Sequence, residues 1–265
     1  MAPYECVGYD VSGGIAEATL RRPERLNAFN DAMLRELGEI LADVAGRDEV
    51  RVLILTGEGR AFCVGADLNW FNVEALGREP TPKFRAAAAG THGVFDQMEA
   101  LEKPVIAAIN GLCVGGGLEM ALSCDLRLAA DDARLGLPEL NAGIIPGSGG
   151  CSRLVRLIGA ARTKELVFTG DLIPAAEAHV MGLVNRVVPA ADLLADARRL
   201  AEKFLAKAPQ ALGIAKLLIN HAGSVDDAMA RTLDRLGQSI LLPTADAAEG
   251  SRAFRAKRPP AFTGR

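Results

Sequence analysis

The passage from residue 103 to residue 122 constrains this chain more than any other. A short apolar run, Val105–Ile109, ends at Asn110-Gly111; three consecutive glycines follow at 115 to 117, and a helical pattern opens on them. An uninterrupted apolar run bounded by turn residues reads as a strand buried on both faces, as in a parallel sheet covered by helices. Two similar runs occupy residues 50 to 56, closing at Gly57, and residues 125 to 129. Such strands alternating with helical segments predict an α/β layered fold. Ligands in that arrangement sit at the strand ends, where the glycine-rich joints lie.

The flanking regions complete the outline. Residues 4 to 10 and 15 to 20 read as two strands about the turn Ser12-Gly13-Gly14. A helix follows, with Asn30 or Asp31 as its N-cap and Met33, Leu34, Leu37, Ile40, Leu41 and Val44 on one face. Residues 77 to 90, with two prolines and an alanine run, read as a mobile insertion. From Ser148 onward the character changes: apolar stripes over residues 193 to 205 and 225 to 240 predict a largely helical last third, with a boundary near Pro189. The organisation expected is therefore a core over residues 1–189 and a helical region over 190–265.

Composition excludes several classes of function. With 265 residues, 49% of them hydrophobic, the chain can bury one large core, and 30 basic against 33 acidic side chains leave a net charge of −3. Its longest basic cluster is Arg255-Ala256-Lys257-Arg258, and aromatics make up only 5%, so no basic stripe with stacking residues suits a nucleic acid. Five scattered cysteines without a Cys-x-x-Cys pair predict neither a disulfide framework nor a zinc site, and imply a reducing, cytoplasmic setting. Neither a secretory leader nor a membrane span is expected, because no apolar run approaches the required length.

Three loops carry candidate chemistry. In the glycine run before residue 118, unpaired N–H groups at a helix start face a ligand with the helix dipole behind them. Glu119 falls in the first helical turn, where a carboxylate also has a purely structural use, worth about 0.3–1 kcal/mol through the dipole. Glu139 lies in the mostly apolar Leu137-Pro138-Glu139-Leu140 segment that runs into Gly147-Ser148-Gly149-Gly150. Two carboxyls in apolar surroundings can divide acid and base roles, since burial and mutual repulsion hold one of them protonated. The third loop, Gly59 to Leu68, offers the backbone amide of Ala66; paired with an amide from glycines 115 to 117 it forms an oxyanion hole.

Other chemistries fail on the residues. Ser152 occupies the third glycine position of a dinucleotide fingerprint, and there is no Gly-Lys-Ser/Thr phosphate loop. Ser148 is not in a nucleophile-elbow frame, and His92, His179 and His221 lack catalytic context. Cys63 and Cys113 border the donor loops as small apolar fillers.

Four motifs in order, Arg22-Pro23-Glu24-Arg25-Leu26-Asn27-Ala28-Phe29, Ala61-Phe62-Cys63-Val64-Gly65-Ala66-Asp67-Leu68, Asn110-Gly111-Leu112-Cys113-Val114-Gly115-Gly116-Gly117-Leu118-Glu119 and Ala253-Phe254-Arg255-Ala256-Lys257-Arg258-Pro259-Pro260, give the chain its resemblance to the crotonase, or enoyl-CoA hydratase/isomerase, superfamily. The resemblance implies a spiral of repeated ββα units, a helical C-terminal trimerisation region, and homotrimers or hexamers. It places the oxyanion donors at Ala66 and Gly116 and the catalytic pair at Glu119 and Glu139, with Gly147 positioning a water. It assigns an acyl-CoA substrate to Arg25, Leu26, Ala28, Val64, Ala66, Asp67, Leu68, Gly116 and Pro138, with Phe254 and Lys257 reaching a neighbouring subunit's nucleotide. The complete glutamate pair favours hydration of a trans-2-enoyl-CoA over a Δ3,Δ2-isomerase that uses Glu139 alone, and no metal or redox cofactor is implied. One departure is Asn69, followed by Trp70, where many hydratases carry a lysine.

Overall fold

The computed structural model describes residues 4–70 and 81–265. Gly13 and Gly14, with φ of +58° and +86°, close the hairpin between β1 (Val7–Ser12) and β2 (Ile15–Leu20), in which Val7 faces Leu20. The strand predicted from residue 4 starts at Val7. Upstream, the amides of Glu5 and Cys6 are bonded to the carboxylate of Glu36, so the ladder begins after them. Glu36 lies on α1 (Asp31–Gly46), and Asn30 is that helix's N-cap, its side chain accepting from the Met33 N–H at 3.0 Å.

Three ββα units then follow in succession. They are β3 (Val52–Gly57), β4 (Ala61–Cys63) and α2 (Thr81–Ala100); β5 (Val105–Ile109), β6 (Leu112–Val114) and α3 (Gly116–Leu122); and β7 (Leu126–Ala130), β8 (Arg134–Gly136) and α4 (Gly150–Thr169). The first strand of each unit pairs in parallel with the first strand of the next, and the second strands do the same in another sheet. The chain therefore winds as a spiral with two sheet walls. With β9 (Ile173–Pro174) and β10 (Arg186–Val188), the larger sheet runs β1-β2-β3-β5-β7-β10 and the smaller β4-β6-β8-β9. Each unit turns a tight corner between its strands. Two of these corners need glycine: a Cβ on Gly57 would overlap the Ala61 carbonyl, and one on Gly111 the Arg60 carbonyl.

The core lies between the larger sheet and its helices, and every residue of β5 is buried. Past α5 (Ala175–Met181), helix α6 (Leu193–Leu205) packs across β3, β5 and β7 and adds Leu193, Ala197, Leu200 and Ala201 to the same core, although it lies beyond Pro189 in sequence. The remaining helices are α7 (Pro209–Ala222), α8 (Asp227–Leu241) and α9 (Ala245–Arg255). Lys216 of α7 is buried and reaches the Asp125 carboxylate at 2.9 Å and the Met98 carbonyl at 3.0 Å, tying that helix to the spiral. Of the insertion predicted over residues 77 to 90, residues 77–80 lie outside the described residues. From Thr81 onward the chain is the start of α2, a correction explained by the good helix propensity of its alanines. Among the described residues no helix is long and apolar enough to cross a membrane.

Candidate active site

Because β4 and β6 are parallel neighbours, the loops leaving their C-terminal ends lie side by side. One loop carries Val64, Gly65 and Ala66; the other is the glycine-rich start of α3. Gly65 has φ +95°, and a Cβ built on it would sit 3.0 Å from the amide nitrogen of Gly116. A Cβ on Gly117 would overlap the Cys63 carbonyl. Close approach of two backbones thus explains why glycines are needed here. Phe29 fixes Ala66 by bridging to it: its N–H donates to Gly65 O at 2.8 Å, and its carbonyl accepts from Asp67 N–H at 2.9 Å. That pairing leaves the Ala66 N–H pointing out of it. Among the described residues neither the Ala66 nor the Gly116 amide has an acceptor.

A clip holds the first of these loops in place. The Arg22 guanidinium donates to the Ala28 carbonyl and, at 2.8 Å, to the Asp67 carboxylate, and this cation holds the Asp67 carboxyl below its usual range. Asn27, buried and left-handed at φ +57°, accepts from Arg22 N–H and donates to the carbonyls of Glu58 and Ala61. The turn containing Arg25, Leu26 and Ala28 is thereby locked onto β4. Arg22 and Asn27 stand inside the quoted motif, but their partners Asp67, Glu58 and Ala61 lie 45, 31 and 34 residues away, so the sequence carries no local signal of the clip. Trp70 donates to Asp31 at 2.8 Å and packs edge-on against Phe29, so it braces the same loop. Leu68 is 81% exposed, Arg25 is exposed, and Val64 is half-buried. Phe254 and Lys257 are exposed at the other end of the chain, and among the described residues no hydrogen bond or ion pair joins either to these loops.

Both glutamates come to this junction. Glu119 projects from α3 and is 3% exposed; its Oε1 accepts from the amides of Ser148 at 2.6 Å and Gly150 at 2.8 Å, at the N-terminus of α4. Burial raises its pKa, while the Gly150 and Ser148 amides and the Arg153 guanidinium pull it back. Glu139 opens the 3-10 turn Glu139–Ala142, entered from Pro138. Its pKa is pushed up to about 7, first by burial and further by the negative charge of Glu119. Glu139 Oε1 lies 3.2 Å from the Cβ position of Gly115, and Oε2 is buried with no hydrogen-bond partner among the described residues. The junction therefore holds one amide-gripped carboxylate, one carboxyl that titrates near neutrality, and two outward amides. Gly147, exposed, opens the loop that grips Glu119. Such a set can move a proton in each direction while stabilising negative charge on an acyl oxygen.

A stability measurement isolates the Glu139 titration. A carboxyl whose folded pKa is raised stabilises the fold below its unfolded pKa, and that contribution is lost as pH rises through about 7. Glu139→Gln removes the titration. Its melting temperature, compared with the parent by calorimetry, is expected to match near pH 5 and to exceed the parent near pH 8. A gap that does not grow with pH would place the Glu139 carboxyl in ordinary solvent.

The sequence matches the enoyl-CoA hydratase/isomerase family over residues 10–265. It is 39% identical over 249 residues to a short-chain-enoyl-CoA hydratase of Clostridium acetobutylicum, covering 93% of each chain. It is also 37% identical over 257 residues to a crotonyl-CoA hydratase of Syntrophomonas wolfei, covering 96% of each. Among solved structures, the enoyl-CoA hydratase of Bacillus anthracis superposes with a TM-score of 0.92 at 38% identity, covering 98% of this chain and 100% of that one.

Proposed function

Since the chain belongs to the enoyl-CoA hydratase/isomerase family and shares its spiral fold, we propose that it is a hydratase, adding water across the C2–C3 double bond of a trans-2-enoyl-CoA to give a 3-hydroxyacyl-CoA. The observation that carries this reading is the contrast between the two carboxyls, one gripped by two amides and the other raised to about 7 beside it. Glu119, as carboxylate, takes a proton from the water whose oxygen bonds to C3. The electrons of the double bond move toward the thioester carbonyl, and Glu139, as acid, delivers a proton to C2. Water supplies both added groups, so the pair returns to its starting state once the proton on Glu119 is passed back to Glu139. The amides of Ala66 and Gly116 hold the enolate-like oxygen, and the Gly147 amide positions the water. With activation supplied by amides and carboxyls, no step asks for a metal or redox cofactor.

The CoA portion follows the locked turn of Arg25, Leu26 and Ala28 and the segment from Val64 to Leu68, with Pro138 on the acyl side. Phe254 and Lys257 serve the nucleotide of a neighbouring subunit in a homotrimer or a pair of trimers. Supporting that assembly, Ile219, Leu236, Ile240 and Leu242 on or just after helices α7 and α8 are exposed apolar side chains. Five unpaired cysteines suit a reducing cytoplasm.

The decisive assay mixes the protein with crotonyl-CoA and follows the absorbance of the conjugated enoyl-thioester. Loss of absorbance with formation of 3-hydroxybutyryl-CoA is the expected result. Absorbance gained from a 3-enoyl-CoA, with no hydration of crotonyl-CoA, would replace this reading with double-bond migration.

A further inference from the structure

The grip on Glu119 depends on three consecutive peptide units. The two amides that bond Glu119 belong to the Gly147–Ser148 and Gly149–Gly150 peptides; the unit between them, Ser148–Gly149, turns its carbonyl to Arg153, whose Nη1 donates to it at 2.9 Å. Gly149 is left-handed at φ +97°, and a Cβ there would overlap the same Nη1, so the guanidinium lies against the loop backbone. Arg153 is 8% exposed and is aimed by two acids of α2: its Nε donates to Glu99 at 2.9 Å, and its Nη2 donates to Asp96 at 2.7 Å. The next carbonyl, of Gly149, is held separately, accepting from the Arg153 N–H at 2.9 Å and the Ser152 hydroxyl at 3.2 Å. Gly147, Ser148 and Gly149 line a polar cavity of about 630 Å³ that is also lined by His92, Glu99 and Arg153. Among the described residues the Ser148 carbonyl has no other donor.

A glycine-rich loop bordering a cavity has freedom to rotate its peptides, and rotating the middle unit would swing the flanking amides away from Glu119. We propose that Arg153 is a positioning residue for Glu119: pinned by Asp96 and Glu99, it locks the Ser148–Gly149 peptide so that the amides on either side stay aimed at the carboxylate. This inference rests on the reading of Glu119 as the base. It adds a residue, on another helix, through which that base is kept ionised and oriented. Charged or titratable groups acting on Glu119 from its surroundings are His92 of α2, Arg153 and Cys151 of α4, and Glu139 of the 3-10 turn.

The test uses Arg153→Met and Arg153→Lys in the full chain with crotonyl-CoA as substrate. Glu119 works in its charged form, above its pKa, and loss of the cation and of the oriented amides raises that pKa. The acidic limb of the kcat profile is therefore expected to move to higher pH in Arg153→Met, with kcat down roughly 10²-fold and KM little changed. Arg153→Lys keeps the charge without the planar fork and is expected to recover part of kcat. A folded Arg153→Met that melts lower but keeps the parent's kcat and acidic limb would overturn the proposal, since Arg153 would then be structural only. If Arg153→Met does not fold, the same two readouts on Arg153→Lys decide. Glu119→Gln run in parallel separates the two ideas: unchanged activity there removes the base itself, whereas collapse there with silent Arg153 variants removes only this inference.

Discussion

Glu119→Gln is expected to lower kcat for crotonyl-CoA hydration by about 10²–10⁴-fold, the span associated with losing a positioned base or acid, and Glu139→Gln is expected to do the same. The glutamine at 119 keeps the volume and an oxygen able to accept from the Ser148 and Gly150 amides, so the loop stays seated while the proton acceptor disappears. At 139 the change removes the proposed proton donor from a site where, among the described residues, one carboxyl oxygen has no hydrogen-bond partner. The pH profiles distinguish the two roles. In the proposed mechanism Glu139 acts protonated, so the parent's kcat/KM is expected to fall as pH rises through about 7, and Glu139→Gln should retain only a low, flat remnant on that side. Glu119→Gln should lose the acidic limb instead. Full hydration by Glu119→Gln would demote that residue to a helix-start charge and leave Glu139 as the only acid–base group.

How far these features were legible in the chain depends on the range of the interactions that make them. Val105–Ile109 was readable to the residue because an apolar run between Lys103-Pro104 and Asn110-Gly111 has clear ends. The second strands of the units, β4, β6 and β8, are three residues each, too short to carry a period, and they exist because a neighbouring turn of the spiral pairs with them. Helix α4 escaped for another reason. Gly159, at φ +78° and ψ 164°, breaks it in the middle and interrupts the phase of its apolar residues. At the site, Glu119 and Glu139 stood out because each adjoins a glycine turn. Arg22–Asp67 and Arg153–Glu99 did not, since their partners lie 45 and 54 residues apart and only the spiral brings them together.

The second large effect concerns the backbone donors, which side-chain replacement cannot remove directly. Gly65 offers an indirect route. Its φ of +95° is unfavourable for any residue with a Cβ, at a cost of about 1–3 kcal/mol. The methyl of Gly65→Ala would in addition stand 3.0 Å from the Gly116 nitrogen, on the very amide assigned to the substrate oxygen. Relieving the strain would require rotation about the N–Cα bond of Gly65, which shifts the chain on one or both sides of it and with it the Ala66 amide. One methyl therefore disturbs both donors. With one side-chain donor worth roughly 10²–10³ in kcat in other oxyanion holes, Gly65→Ala is expected to lose at least that much. Comparison with Gly46→Ala calibrates the result, because a Cβ at Gly46 meets nothing and its φ is not left-handed. Gly46→Ala should hydrate crotonyl-CoA at the parent rate. A Gly65→Ala protein that folds and hydrates at that rate would mean that the acyl oxygen is held elsewhere. Loss of kcat with both glutamates still titrating as in the parent would assign the damage to the donors, since the proposed acid–base pair lies on α3 and the turn after β8 rather than on the loop that carries Gly65.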